Sequence, residues 1–251
     1  MRAARGGPYY EKERRAIETM VKLMYFHRRR THLSVADYHE HWLEHHVPRF
    51  GHIAMQARRY VLYLRVECEV DVVQSDSYDG VSVVWFDDLS RARALIDSRT
   101  VIDALSDEKR FIDHDRSVAV LANEEIAIEP DGWAPIVLFR CTLSGAETAQ
   151  DAVEMRRQVG REEAREAYGE GRCQGYIQNI VIHEATGPER YNDLGSNAEN
   201  WDMIEAFFFD SLVIARPFLR ESRAREERDS LPSRRTLWMI SRRRVMKDVA
   251  R

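Results

Sequence analysis

Hydrophobic positions in this chain fall into short apolar runs and longer amphipathic stretches that alternate from residue 21 onward. Val21 to His27 (VKLMYFH) is an apolar run with a basic end and reads as a strand. Ser34 to Phe50 reads as a helix: Ser34 followed by Asp37 resembles a capping box with Asp in the place of Glu or Gln, and Pro48 is expected to end or kink it. Ala57 to Glu67 (ARRYVLYLRVE) is rich in β-branched and aromatic residues and predicts a second strand. Asp71 to Ser77 is turn-like. Gly80 to Phe86 (GVSVVWF) is almost wholly apolar and predicts a strand buried on both faces. Leu89 to Phe111 predicts a helix in two pieces, and Ser117 to Ile128 a fourth strand. Residues 1–20 are polar, broken by Gly6-Gly7-Pro8, and read as an arm with a helix from Glu11 to Met20. The order over residues 21–130 is β-α-β-β-α-β, the ferredoxin-like arrangement.

Glu129-Pro130-Asp131-Gly132 is a linker by composition, and after it the pattern restarts over residues 133–251. Strands are expected at Pro135 to Thr142, Gly175 to Glu184, Trp201 to Phe209 and Arg235 to Val245. Helices are expected at Ala149 to Ala167 and Leu212 to Glu227, with a loop at Ala185 to Asn200. Trp85-Phe86-Asp87-Asp88-Leu89 aligns with Phe208-Phe209-Asp210-Ser211-Leu212, and Tyr60 in RRYVLY with Tyr176 in QGYIQN. The second half therefore reads as a copy of the first. A ferredoxin-like unit covers one sheet face with its helices and must bury the other against a partner sheet. Two units in one chain can do this for each other, so the expected fold is α+β: two ferredoxin-like repeats closing an intramolecular pseudo-twofold barrel with helices outside.

Charge and composition narrow the function. The 38 basic and 42 acidic residues nearly cancel, giving a net charge of -4, which argues against nucleic acid as a partner. No apolar run approaches the ~18 residues of a membrane span, and the start, MRAARGGPYYEKERR, has no apolar signal core. A cytoplasmic location and no membrane partner are therefore expected. The three cysteines, Cys68, Cys141 and Cys173, form no disulfide or zinc pattern. Phosphate loops, dinucleotide fingerprints and nucleophile elbows are absent; GEGRCQG at 169–175 has glycines but precedes a strand. Four histidines (His39, His41, His45, His46) lie within eight residues of the first helix.

Several segments together, VKLMYFHRR, SVADYHEHWLEHHVPRF, RRYVLY, VVWFDD and DEKRFID with LANEEI, resemble EthD-type proteins of the dimeric α+β barrel superfamily. The pattern is an apolar strand with a basic end, a helix carrying aromatic residues, and a His-x-Pro at the helix end, here His41-Trp42 and His46-Val47-Pro48. The resemblance covers residues 21–128 and, more weakly, 135–246. It implies small cofactor-independent enzymes of aromatic and polyketide compounds, among them cyclases, decarboxylases, other lyases and oxygenases; haem-degrading members also exist. Where the first half has HWLEHHVPRF, the second has EEAREAYGEG, without the histidine or the proline, so one working site is expected, in the N-terminal half.

Within that resemblance His46 is the His-x-Pro histidine, and an imidazole titrating near ~6.5 can exchange a proton at neutral pH; a histidine at a helix C-terminus also serves as a cap. Tyr60 offers a phenol donor to an oxyanion, although its recurrence as Tyr176 favours structure. His27, at the end of the first strand, is a third candidate acid or base. Tyr25, Trp42, Tyr63 and Trp85 are expected walls of an aromatic pocket, or simply core. Strand parity groups Tyr25 with His27 and Met24 with Phe26 without deciding which pair faces the helices. Arg28 or Arg29 suits a substrate carboxylate, or is a solvated strand end. His41 and His45 have the i, i+4 spacing of a metal pair, but HWLEH is not HExxH and nothing nearby completes a shell, so no metal and no cofactor are expected.

The leading expectation is a cofactor-independent lyase (decarboxylase, dehydratase or cyclase type) acting on an aromatic or polyketide-like small molecule. The alternatives are an oxygenase of a phenolic substrate, cofactor-free or haem-dependent, and a non-catalytic small-molecule-binding protein. Whether the barrel pairs further into a homodimer stays open.

Overall fold

The computed structural model describes residues 20–53, 57–66, 77–130, 132, 134–143, 149–183, 201–229 and 235–248. The expected arm with its helix at Glu11 to Met20, most of the Asp71 to Ser77 turn, and the Ala185 to Asn200 loop lie outside these residues. In chain order the elements of the first half are β1 (Val21–His27), a helix α1, β2 (Arg59–Arg65), β3 (Gly80–Phe86), α2 (Leu89–Ile96), α3 (Arg99–Glu108) and β4 (Val118–Ile128). Those of the second are β5 (Ile136–Leu143), α4 (Ala149–Gly169), β6 (Gly175–Val181), β7 (Met203–Phe209), α5 (Leu212–Asp229) and β8 (Arg235–Asp248). Among the described residues no helix is long and apolar enough to cross a membrane.

Helix α1 begins as the sequence predicts. Ser34 Oγ accepts from the Asp37 amide at 3.0 Å, and the Asp37 carboxylate accepts from the Ser34 amide at 3.2 Å. This reciprocal pair satisfies two of the amides that a helix start leaves without intrahelical partners. The helix then departs from expectation. It is α-helical over Val35–Glu40, π-helical over His41–His46, and α-helical again over Val47–Phe50. Pro48 neither ends it nor breaks it. A proline ring collides with the carbonyl four residues back in an α-helix; the wider π turn immediately before Val47 relieves that conflict, and the Val47 amide bonds to the Trp42 carbonyl five residues back.

Among the described residues eight strands close into one antiparallel barrel in the order β1-β3-β2-β8-β5-β7-β6-β4. The first half contributes β4-β1-β3-β2 and the second β8-β5-β7-β6, with seams at β2–β8 and β4–β6. Closure leaves no strand edge unpaired. Alternation along each strand then sorts side chains into a lumen and an outer face. Met24, Phe26, Val61, Val83, Phe139 and Met239 belong to the lumen core. Tyr25, Tyr38, Trp42, Tyr60 and Phe111 form the layer between the first sheet and α1 to α3, and Tyr176, Phe207, Phe218 and Trp238 form the layer of the second half. The parity question is thus answered: Tyr25 faces the helices, and Met24 and Phe26 face the lumen.

The outer layer of the first half is tied to the sheet at Gly80, the first residue of β3. A Cβ there would sit 2.5 Å from Cζ3 of Trp42 and 2.7 Å from the Tyr38 hydroxyl, so the indole seats directly on bare backbone. Trp42 is 1% exposed, its ring centroid 4.6 Å from that of His27. Gly80→Ala should therefore overpack this contact and destabilise the protein by about 1–3 kcal/mol. Urea denaturation followed by tryptophan fluorescence checks it, and an unchanged midpoint would show that α1 can lift at no cost.

Candidate active site

A half-open cleft of about 120 Å³ lies between the outer face of the first sheet and helices α1, α2 and α3. Its polar lining is Tyr25, His46, Tyr60, Ser82 and Glu108, set among apolar side chains such as Leu23, Phe50, Ile53, Val84 and Ile96. His46 is 8% exposed and comes from the last turn of the π segment. Its Nδ1 lies 3.0 Å from Oδ2 of Asp107. An ionised carboxylate only accepts, so Nδ1 carries the hydrogen and Nε2 is left as the atom that takes or gives a proton. Nε2 lies 3.7 Å from Oε1 of Glu108, whose other oxygen is 3.3 Å from Nε2 of His114. Phe50 and Phe111 pack on the imidazole with ring centroids 5.1 and 5.2 Å away.

The two cleft phenols, Tyr25 and Tyr60, enter the same cleft from the sheet. Burial, with Glu108 adding to it, pushes the hydroxyls of both Tyr25 and Tyr60 well above the ordinary range. Both therefore stay protonated at neutral pH and act as donors. The Tyr25 hydroxyl is buried without a well-formed hydrogen bond; its polar neighbour Ser117 gives its own hydrogen to the Asp113 carbonyl. The cleft thus holds one oriented imidazole, one carboxylate and two phenolic donors on an apolar floor, a set suited to moving a proton and holding an oxyanion.

The structure separates the remaining predicted residues from this cleft. His27 is one layer too deep: its Nδ1 is 2.9 Å from the Tyr38 hydroxyl and its Nε2 is 3.3 Å from Ser82 Oγ, so Ser82 stands between it and the cavity. Trp42 lies under α1 against Gly80 and His27 and does not line the cleft. Tyr63 and Trp85 point the other way and line a cavity inside the barrel. The single aromatic pocket expected from sequence is therefore two spaces on opposite faces of one sheet. Arg28 donates to the Ser77 carbonyl at 3.2 Å and stacks 5.0 Å over Tyr78, while Arg29 pairs with Asp79 at 2.6 Å. His41 lies 3.8 Å from Asp107, and its ring packs at a tilt of 57° against His45 with centroids 5.4 Å apart. Among the described residues no group of three or more His, Cys, Asp or Glu side chains is placed to hold a metal ion.

Sequence reasoning missed Asp107 and Glu108. A signal for them existed: both stand at the C-terminal end of α3, where the helix dipole disfavours anions. Acidic residues in that position call for cationic or hydrogen-bonding partners, which His46, His41 and His114 supply.

His27 carries a stability prediction. Burial, reinforced by the charges of His46 and His114, holds its pKa well below the ordinary histidine value. Above about pH 6.5 it is neutral folded or unfolded and has no effect; below that, the unfolded chain takes a proton the folded chain refuses. Stability should therefore fall with falling pH by up to about 1.4 kcal/mol per pH unit from this residue. His27→Gln should flatten that slope in urea melts between about pH 5 and 7; an identical slope would assign it to other groups.

Comparison with known proteins finds the EthD domain over residues 30–115, a span that holds His46, Tyr60, Asp107 and Glu108. A search of curated proteins finds no match. Among solved structures, a candidate monooxygenase of Fusobacterium nucleatum superposes with a TM-score of 0.52 at 6% identity, over 91% of this chain and 93% of that one. An anthrone oxidase-like protein gives 0.52 at 11%, over 93% and 96%. A mutant chlorite dismutase of Candidatus Nitrospira defluvii gives 0.50 at 11%, over 88% and 90%. At such identities the likeness is one of fold. The EthD family model thus matches residues 30–115 of this chain, and the solved structures share the fold of the whole.

Proposed function

We propose that the protein is an enzyme that uses His46 as general acid and base on a small aromatic or polyketide-like molecule bound in the cleft. The observation that carries this reading is the Asp107–His46 pair, with Nδ1 fixed at 3.0 Å and Nε2 left to work beside Glu108, Tyr25 and Tyr60. His46 Nε2 removes a proton from an enolisable carbon or a phenol. Tyr60 and Tyr25 donate to the oxygen on which charge develops, in an apolar site where such bonds count for more than in water. Glu108 faces the imidazolium that results. The returned proton then completes loss of carbon dioxide, loss of water or ring closure, the lyase-type outcomes. A cavity of about 120 Å³ is close to the ~150 Å³ that admits benzene, which favours one ring in the cleft with the remainder of the substrate at its open side. The cleft is too small for a haem macrocycle, given that pockets for drug-sized ligands start near ~300 Å³.

A second reading, a cofactor-free oxygenase, draws on the names of two structural neighbours, the candidate monooxygenase and the anthrone oxidase-like protein. It shares the first step: the phenolate formed at His46 would react with dioxygen. The two strand orders, β4-β1-β3-β2 and β8-β5-β7-β6, support reading the chain as two ferredoxin-like copies about a pseudo-twofold axis, with 21–130 carrying the site and 133–251 as its degenerate partner.

A screen of hydroxybenzoates, phloroglucinol derivatives and β-diketones, read by mass spectrometry with and without oxygen, tests both readings. Turnover without oxygen selects the lyase, and oxygen-dependent turnover the oxygenase. His46→Ala should lower turnover by ~10²–10⁴-fold, the usual contribution of a positioned acid or base, while leaving the circular dichroism spectrum unchanged. Asp107→Asn should lower it less and move the pH profile. Full turnover in folded His46→Ala would reject the assignment.

A further inference from the structure

We propose that the barrel lumen is a second ligand site, separate from the His46 cleft, for a flat aromatic monocarboxylate. The lumen holds a cavity of about 320 Å³ lined by side chains from all eight strands. Interiors of domains are close-packed, with few voids larger than a water molecule, and an unfilled void costs stability in proportion to its volume. A space about twice the ~150 Å³ that accepts benzene fits two fused rings.

The lining has two chemical characters. Trp85, Tyr63, Phe139 and Phe208, with Met24 and Ile177, supply the flat apolar surface. The polar part is Lys22, Arg59, Arg243, Glu124, Glu129 and Asn179, three cations against two carboxylates, which leaves a formal excess of one positive charge. Lys22 is buried and already committed: its Nζ donates to Asn179 Oδ1 at 2.7 Å and pairs with Glu124. The Trp85 indole donates to Glu124 at 3.4 Å, and its ring lies between two cations, Lys22 at 4.9 Å and Arg59 at 5.0 Å from its centroid. The polar wall is thus built and held before any ligand arrives.

The arginines supply the excess charge. Arg59 and Arg243 both act on the Tyr63 phenol: burial raises its pKa to about 12, the two guanidiniums oppose the rise and Glu124 adds to it. Tyr63 is therefore a protonated donor facing the same space as two guanidinium forks, the arrangement that recognises a carboxylate. Glu129, Pro130 and Gly132 of the β4–β5 connection line one end, where Glu129 and Gly132 are exposed, and Arg243 reaches the Gly132 carbonyl. That end is the entrance.

Calorimetric titration and thermal melts with 1-naphthoate and its neutral isostere 1-naphthamide test this. Naphthoate should bind about tenfold or more tightly than naphthamide, the equivalent of one charge-assisted hydrogen bond, and raise the melting temperature. Arg59→Gln should remove that preference and leave naphthamide binding in place. Ala206→Phe, which projects a ring into the lumen, should abolish naphthoate binding without lowering the melting temperature of the free protein. Ala104→Leu, which fills the His46 cleft, should leave naphthoate binding unchanged. Naphthoate affinity weaker than ~1 mM, equal affinity for the two probes, or loss of binding in Ala104→Leu would each overturn the proposal. If Ala206→Phe does not fold, Arg59→Gln and Ala104→Leu still decide it.

Discussion

The barrel is held by a demand that neither half meets alone: each four-stranded sheet has two apolar faces, and its own helices cover only one. In β1 every position is at least half-buried, and in β7 all seven are buried. Such strands must be covered on both sides, and the two sheets achieve this by pairing β2 with β8 and β4 with β6. Once closed, the period-2 alternation of each strand fixes which side chain meets a helix and which meets the lumen. Tyr25 and Tyr60 are thereby committed to the His46 cleft, and Tyr63 and Trp85 to the lumen. Two cavities of different character, one small and largely apolar with an imidazole, one larger and charged, are consequences of the same closure.

The halves use their helix-facing layers differently, and the pairing registers make the contrast direct. In the first half Tyr25 pairs with Ser82 and Tyr60 with Val84. In the second, Arg140 pairs with Glu205 and Tyr176 with Phe207. Arg140 donates to Glu205 and Glu163, Arg156 reaches Glu205 and Glu226, and Tyr176 donates to Glu205. This network fills the layer with side chains where the first half leaves a cleft. It is packed to its limit: a Cβ on Gly160 would sit 2.0 Å from a Glu205 oxygen and 2.2 Å from the Tyr176 hydroxyl. Three carboxylates share two guanidiniums, and burial raises the pKa of Glu226. A buried ion network of this kind does not stabilise more than an apolar filling of the same shape would, so its clearest effect is to occupy the space between the second sheet and its helices.

Most of the fold was legible in the sequence because it rests on local signals. The capping box, the apolar runs and the linker at Glu129 to Gly132 each bear on a few neighbouring residues. The site was only partly legible. His46, Tyr60 and Tyr25 do converge, but the pocket was assembled in anticipation from both faces of the sheet, since parity groups residues without saying which group the helices cover. His27 and Trp42 share the correct face and still miss the cleft, because depth within a layer depends on packing. The seat that Gly80 offers Trp42 is visible only when β3 and α1 are brought together.

The π turn is the step that sequence periodicity could not supply, and it decides how the histidines are used. With α-helical spacing, residues three and four apart share a face, which would group His41 with His45 and Trp42 with His46. In the π segment the bonded spacing becomes five. His41 and His46 then both reach Asp107, at 3.8 and 3.0 Å, while Trp42 turns inward to Gly80. The wide turn also accommodates Pro48, so α1 continues to Phe50 and brings that ring onto the imidazole. The His46-Val47-Pro48 run is therefore more than a helix stop. It is the sequence trace of a register change that brings His41 and His46 to one carboxylate and leaves the second nitrogen of His46 facing the cleft.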